Sequence, residues 1–218
     1  MDYRIEEDIA IITIDDGKAN AVGHDFIDGV MANLDKAEQD AKAVVFMGRP
    51  GLFSAGFDLK EIQKGPQEAA ALVNKGAHML FRLFGFPAPV VAGCTGHAVA
   101  AGAFFLLSCD TRIGIDGEFS LGLNETAIGM TLPVFGQELA KDRLSKRHLT
   151  AAVIQSTMYS PSDAVDAGFL DQVVSPDDLE SACLASAQKL SELPKDTYGL
   201  MKRDTRAAPL AAIEASLV

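Results

Sequence analysis

Two glycine- and alanine-rich segments have the residue types needed to bind a negatively charged oxygen. They are residues 53–59 (FSAGFDL) and 96–102 (GHAVAAG). Each follows an apolar, β-branched run and precedes a helical pattern, so each predicts a corner between a strand and a helix. Small residues leave backbone N–H groups accessible there, and the start of a helix favours negative charge. Most such corners are only tight turns, but two together could form an oxyanion hole.

Glu125 is the candidate acid–base residue. It lies in residues 122–129 (GLNETAIG), with Leu121, Leu123 and Ile128 among its apolar neighbours. A glutamate that points into solvent from a short loop is the simpler interpretation. Burial among these neighbours would instead raise the pKa of its carboxyl and make it a usable base near neutral pH.

Other catalytic and cofactor motifs are missing. The chain has no P-loop, no HExxH, no GxSxG and no GxGxxG pattern. Its four histidines are scattered without ligand-like spacing, which predicts that there is no metal site. Of these, only His97 lies in a glycine-flanked loop and is a minor candidate for lining a site.

The elements that must position these residues alternate between strand and helix through about residue 175. This order predicts an α/β fold with a helical C-terminal part, divided here into a core at 1–175 and a helical oligomerisation region at 176–218. A strand–strand–helix unit recurs weakly. The predicted strands are 9–14, 43–47, 89–92, 112–115, 118–121 and 170–174. The main predicted helices are 24–39, 66–83, 100–109, 134–144 and 146–155, with further helices opened by the Ser-Pro pairs at 160 and 175.

Composition limits the possible partners and location of the protein. The 218 residues carry a net charge of −11, which argues against binding to nucleic acid or a polybasic membrane anchor. Three cysteines without a CxxC pair indicate a reducing compartment. No signal peptide or membrane-spanning run is visible, and we therefore predict a cytoplasmic location.

The order and spacing of several motifs resemble the crotonase superfamily, the enoyl-CoA hydratase/isomerase family. The resemblance covers most of the chain. It rests on Asn20-Ala21, FSAGFDL (53–59), PAPVVAGCTG (87–96), AAG (100–102), Cys109-Asp110, GLNET (122–126) and AxxAGFLDQVV (164–174). It implies a spiral of ββα units with a helical C-terminal region used in homotrimers or dimers of trimers. It also implies an acyl-CoA thioester substrate and no cofactor, because coenzyme A is part of that substrate.

The resemblance assigns roles to individual positions. It implies an oxyanion hole formed by the N–H groups of Phe57 and Ala101, the latter where glycine is common in the family. It also implies that backbone groups in residues 19–21 and 55–59 bind the coenzyme A part of the substrate, and that nearby basic residues offset its negative charge. The substrate-binding positions are Ala19, Ala21, Ala55, Gly56, Asp58 and Leu59, and the basic residues are Lys18, Arg49 and Lys60. The chain ends at Val218, about one helix earlier than the resemblance leads us to expect.

The acidic residues separate the branches of the family. Hydratases use two glutamates to activate one water, and here the two positions hold Phe104 and Glu125. A phenylalanine lining the acyl site excludes that water. One glutamate still suffices to move a proton from C2 to C4, the Δ3,Δ2-enoyl-CoA isomerase reaction, which we favour. The alternatives are an enoyl-CoA hydratase or other lyase that uses Glu125 alone, and a non-catalytic protein that binds CoA esters.

Overall fold

The computed structural model describes residues 1–218 and is built around a six-stranded sheet. The strand order is β1-β2-β3-β5-β7-β9. Only β1 is antiparallel to its neighbour, and all other pairs are parallel. The strands are β1 (Asp2–Glu6), β2 (Ile9–Thr13), β3 (Ala43–Met47), β5 (Val90–Cys94), β7 (Thr111–Ile115) and β9 (Gln172–Val174).

A second, three-stranded parallel sheet lies beside the first, in the order β4-β6-β8. Its strands are β4 (Gly51–Ser54), β6 (Gly96–Val99) and β8 (Leu121–Gly122). The chain repeatedly places one strand in the large sheet, the next in the small sheet, and then forms a helix. This repetition is the predicted spiral of ββα units. The helices are α1 (His24–Asp40), α2 (Leu59–Ile62), α3 (Pro66–Phe84), α4 (Ala101–Ser108), α5 (Val134–Arg143), α6 (Pro161–Ala167), α7 (Leu179–Ser191), α8 (Lys195–Thr205) and α9 (Ala207–Glu214).

The large sheet is buried on both faces. Side chains alternate along β2, so that Ala10 and Ile12 enter the main core while Ile9 and Ile11 face the other side. Two-sided burial explains why the central strands β2, β3 and β5 are almost continuously apolar in sequence. The α4 helix is buried along its whole length in the main core, as its all-apolar sequence predicts.

The C-terminal helices pack against their own chain. In α7, Leu179, Cys183 and Ala187 cover the second face of the large sheet and are fully buried. These apolar side chains are therefore covered within one chain, and the oligomerisation role of residues 176–218 stays a prediction. Further along, the carboxylate of Asp110 pairs with Lys202 at 2.6 Å and with Arg206 at 2.9 Å, which fixes α8 to the core.

Several predicted elements differ from the structure. The strand expected at 118–121 is only Leu121–Gly122, and the helix expected at 146–155 is a π-helix at Thr150–Ile154. The second Ser-Pro pair opens a single 3-10 turn, and α7 begins only at Leu179. The sequence analysis missed β4 and β6 because they are short and contain glycine, which weakens a strand pattern. No helix is both long enough and apolar enough to cross a membrane, and the cytoplasmic location stays a prediction.

Candidate active site

The small sheet brings the candidate residues to one edge. Its three strands are parallel, so their carboxyl ends meet on the same side, where ligands commonly bind in α/β folds. Phe57 follows β4, Ala101 follows β6 and Glu125 follows β8. Segments that are nearly 70 positions apart in sequence therefore become neighbours.

The segment after β4 presents one free N–H group. Gly56 has a φ of +99°, which turns the chain, and its carbonyl accepts from the N–H of Val22 at 2.8 Å. The next N–H, that of Phe57, donates to no protein acceptor. The ring of Phe57 packs on α3 at Gly76, where a Cβ atom would lie 2.7 Å from it. This contact fixes the residue whose N–H is free.

The segment after β6 presents a second N–H group. Ala100 has a φ of +51° and a ψ of −119°, a conformation that L-residues rarely adopt. Ala101 follows as the first residue of α4, and its N–H therefore lacks an intrahelical acceptor. Backbone strain of this kind persists where the surrounding structure imposes it, commonly at functional sites.

The two N–H groups lie close together. A Cβ atom built on Gly56 would lie 3.5 Å from the nitrogen of Ala101 and 3.0 Å from the Cβ of Ala100. A Cβ atom on Gly102 would lie only 2.5 Å from the carbonyl oxygen of Ser54. Both glycines are therefore needed for the close approach of the two corners. That the two free N–H groups form an oxyanion hole stays a prediction.

Glu125 is the buried carboxylate of the site. Its side chain is on the 3-10 turn that follows β8, only 7% of the residue is exposed, and its Oε2 atom has no hydrogen-bond partner. Burial raises the pKa of its carboxyl, and a hydrogen bond with its own backbone lowers it less. The only other carboxylate with comparable burial, that of Asp110, is 9% exposed and is paired with Lys202 and Arg206, whereas Glu125 has no charged partner. The solvent-facing alternative for Glu125 is therefore wrong.

Phe104 lies one helical turn after Ala101 and is fully buried. Its ring packs edge-on against Phe135 of α5, with centroids 5.5 Å apart, and contacts α5 also at Gly136. No carboxylate is present at this point of α4. His97, which lies in β6, accepts a hydrogen bond from the N–H of Ser120 and packs against the ring of Phe119. These contacts give it a structural role.

A cleft of about 780 Å³ opens beside the first corner. It reaches Phe57, but neither Ala101 nor Glu125 lines it. Five of the predicted substrate-binding residues line the cleft: Ala19, Ala21, Ala55, Asp58 and Leu59. Gly56 is buried behind them. Lys18 and Lys60 also line it, whereas Arg49 donates to the carbonyl of Lys18 at 2.8 Å.

The charges in the cleft are mostly negative. Its carboxylates are Asp15, Asp16, Asp25, Asp58 and Glu61, and only two lysines lie among them. Burial raises the pKa of Asp16, but backbone N–H groups, including those of Asn20 and Lys18, outweigh it and lower the pKa overall. Asp16 therefore stays ionised and holds its loop.

Asn20 joins the two walls of the site, a role that the sequence analysis missed. It is fully buried with a φ of +45°, and its Nδ2 donates to the carbonyls of Ile14 at 2.9 Å and Phe53 at 3.1 Å. The hydroxyl of Ser54 donates to its carbonyl at 2.7 Å. The sequence signal that could have indicated this role is an asparagine before a small residue in a loop, because asparagine tolerates left-handed backbone.

Comparison with known proteins gives a consistent result. The sequence profile described as enoyl-CoA hydratase/isomerase matches residues 4–215. The crystal structure of an enoyl-CoA hydratase/isomerase family protein from Pseudomonas syringae is similar, with a TM-score of 0.96 and 41% identity over 99% of this chain and 94% of that one. An enoyl-CoA hydratase from Mycobacterium marinum has a TM-score of 0.94 and 33% identity over 99% and 95% of the two chains. The human mitochondrial enoyl-CoA delta isomerase 1 is 26% identical over 92% of this chain and 68% of its own length.

Proposed function

The chain belongs to the enoyl-CoA hydratase/isomerase family of crotonase-fold enzymes, and within that family we propose that it is a Δ3,Δ2-enoyl-CoA isomerase. One observation carries this proposal. Glu125 is the only buried carboxylate without a cationic partner, and the position on α4 that the family resemblance assigns to the second acid of hydratases holds Phe104. A site with one base and an apolar wall suits the transfer of a proton between two carbons. It does not suit the activation of a water by two acids.

The proposed reaction uses three groups. The thioester carbonyl oxygen of a 3-enoyl-CoA accepts hydrogen bonds from the N–H groups of Phe57 and Ala101. Glu125 takes a proton from C2, and the electron pair of that bond moves into an enolate whose charge the two N–H groups stabilise. The protonated Glu125 then returns the proton to C4 as the double bond moves from C3–C4 to C2–C3. The raised pKa of Glu125 suits both halves of this transfer.

The coenzyme A part of the substrate is assigned to the 780 Å³ cleft. The cleft ends at Phe57, so a ligand that fills it directs its thioester towards the two free N–H groups. Backbone at Ala19, Ala21 and Ala55 provides polar groups for the pantetheine and adenine parts, and Lys18 and Lys60 offset the phosphates. In this proposal the reaction uses no metal and no cofactor apart from coenzyme A itself.

Two other functions remain as alternatives. The first is a hydratase or other lyase that uses Glu125 as its only acid. Several similar proteins are described as enoyl-CoA hydratases, so the preference for an isomerase rests on Phe104. A non-catalytic CoA-ester-binding protein is disfavoured by Glu125, since a binding protein gains nothing from an unpaired buried carboxylate.

Parallel assays with two substrates test the choice. We expect rapid formation of the conjugated 2-enoyl thioester from a 3-enoyl-CoA, and slow loss of its absorbance when crotonyl-CoA is supplied. The Glu125→Gln variant, purified identically, controls for contaminating host enzymes. Fast hydration of crotonyl-CoA with slow isomerisation would overturn the isomerase and support the hydratase. Tight CoA-ester binding without either reaction would support the binding protein.

We also propose that the protein forms a homotrimer or a dimer of trimers. The support is a set of exposed large apolar side chains around the Glu125 turn and the segments near it: Ile128, Met130, Val134, Ile154 and Met158. Apolar groups grouped in this way indicate contact with another surface. Light scattering at micromolar concentration should give three or six times the mass of 23.1 kDa. A monomer mass would contradict this proposal.

A further inference from the structure

Residues 150–159 hold the Glu125 loop from both sides. Before Glu125, the backbones of Leu121 and Tyr159 exchange two hydrogen bonds, each 2.9 Å long. After Glu125, the N–H of Ala127 donates to the Oγ of Ser156 at 3.1 Å. The hydroxyl of Thr126 donates to the carbonyl of Val153 at 3.2 Å. The carboxylate oxygen Oε2 of Glu125 has no such partner, so its position depends on the backbone that carries it.

Two unusual conformations shape this segment. Thr150–Ile154 is a π-helix, a rare form that is frequent at functional sites. Ser156 has a φ of +51°, although it is not a glycine. Together they end the helical turn and direct the Ser156 hydroxyl at the turn that follows Glu125. Within the segment Ala152 is buried in the main core, whereas Ile154 and Gln155, next to Ser156, are exposed.

We propose that Ser156 is a positioning residue for the reaction, because its Oγ accepts the Ala127 N–H and so fixes the turn that aims Glu125. This inference rests on the proposed function only in naming Glu125 as the base. Ser156 touches neither substrate nor the reacting atoms. Its effect is on the orientation and burial of the Glu125 carboxyl, and the coenzyme A cleft lies on other segments.

Kinetics of matched variants test the role. For Ser156→Ala we expect kcat to fall by about 10- to 100-fold, because misplacement of a base by about an ångström has that cost. KM should stay within about twofold, since the cleft is untouched. A released Glu125 becomes more solvated, which lowers its pKa, and the acid limb of the pH–rate profile should move to lower pH. Ser156→Asn should restore much of kcat, because asparagine offers an oxygen acceptor and tolerates a positive φ.

Two further variants separate positioning from stability and strain. Ser160→Ala removes a hydroxyl that accepts the Asp163 N–H at 3.2 Å and caps α6, the same chemical loss at a different place. It should lower stability without changing kcat or the acid limb. Ser156→Gly relieves the positive φ but has no acceptor, and it should resemble Ser156→Ala. A Ser156→Ala enzyme with wild-type kcat and acid limb, or an equal kcat loss in Ser160→Ala, would overturn the proposal.

A titration without turnover separates this proposal from the isomerase assignment. The infrared band of the protonated Glu125 carboxyl, identified by its loss in Glu125→Gln, reports its pKa in the resting enzyme. A shift to lower pKa in Ser156→Ala supports the positioning role even if the wild-type protein hydrates rather than isomerises. If the wild type isomerises normally but the Glu125 titration is unchanged in Ser156→Ala, the positioning role alone is overturned.

Discussion

The N–H of Ala100 donates to the carbonyl of Gly122 at 3.0 Å. This hydrogen bond joins the strained residue before the proposed oxyanion hole to the strand that leads to Glu125. Ala100 is therefore held in its left-handed conformation by a bond that also sets the distance between the hole and the base. The strain at Ala100 and the placement of Glu125 are parts of one arrangement.

Replacement of Ala100 by glycine should stabilise the protein. An L-residue with a φ of +51° costs about 1–2 kcal/mol, and glycine avoids that cost at an entropic expense of about 0.5–1 kcal/mol. We expect the free energy of unfolding in urea to rise by up to ~1 kcal/mol. Ala103→Gly, in the interior of α4 with ordinary helical geometry, is the matched control and should lower it by about 1 kcal/mol. A loss of stability in both variants would show that Ala100 is not strained.

Removal of the carboxylate should abolish turnover and spare binding. Glu125→Gln keeps the size of the side chain but cannot accept a proton, so we expect kcat to fall by at least ~10²–10⁴-fold. The affinity for a CoA ester should stay nearly unchanged, because the cleft does not include Glu125. Steady-state isomerisation and calorimetric titration measure the two effects. The exposed Glu118→Gln serves as a control, and activity within a few-fold of wild type in Glu125→Gln would exclude this residue as the base.

The same variant should be more stable than the wild type at neutral pH. The folded-state pKa of Glu125 is raised above its unfolded value by burial, so ionised Glu125 destabilises the folded protein above that raised pKa. Below the unfolded pKa both states are protonated and the penalty disappears. The stability gained by Glu125→Gln should therefore be largest near pH 7 and shrink as the pH falls towards 4. Urea unfolding of both proteins across this range checks the trend, and a gain that grows on acidification would contradict it.

The chemistry of the site was more predictable from sequence than its surroundings. Residue types alone single out the two glycine- and alanine-rich segments and Glu125 as candidates, whereas Phe57 and Ala101 are named only through the resemblance to the crotonase superfamily. Only the three-dimensional structure shows the parallel edge of β4, β6 and β8 that brings them together. These strands have two to four residues and contain glycine, so they are too short for a periodic signal.

The supports of the site were not predictable, for a different reason. Asn20 and Ser156 act through side-chain hydrogen bonds to the backbone of other segments, and no pattern in the sequence marks those partners. The positive φ of Ser156 is also not indicated by its residue type, because serine usually adopts ordinary conformations. That Leu179 and Cys183 are covered by their own chain was not predictable either. An apolar helix face indicates burial, but not whether the covering surface belongs to the same chain.

Coenzyme A should bind more tightly as salt is added. Five carboxylates and two lysines line the cleft, and the whole chain carries a net charge of −11. The field opposes a polyanionic ligand, and salt screens it as the Debye length falls from ~30 Å at 0.01 M to ~8 Å at 0.15 M. We expect the Kd for coenzyme A to fall at least about twofold over this range. The Kd for uncharged pantetheine should stay constant. Weaker coenzyme A binding at higher salt would show that Lys18 and Lys60 dominate the field instead.

A second acid on α4 should convert part of the activity to hydration. Phe104 lies three residues after Ala101, one turn along the helix and therefore on the same face. Phe104→Glu places a carboxylate there and removes a ring that packs on Phe135 and Gly136, which leaves room for water beside α5. The variant should lose a few kcal/mol of stability, since a carboxylate replaces buried apolar volume. At a temperature where circular dichroism shows it folded, it should hydrate crotonyl-CoA faster than the wild type and isomerise 3-enoyl-CoA more slowly. Phe104→Leu, which opens space without an acid, should gain no hydration. Equal hydration by the leucine variant would mean that water access alone, and not the missing second acid, keeps the wild type from hydrating its substrate.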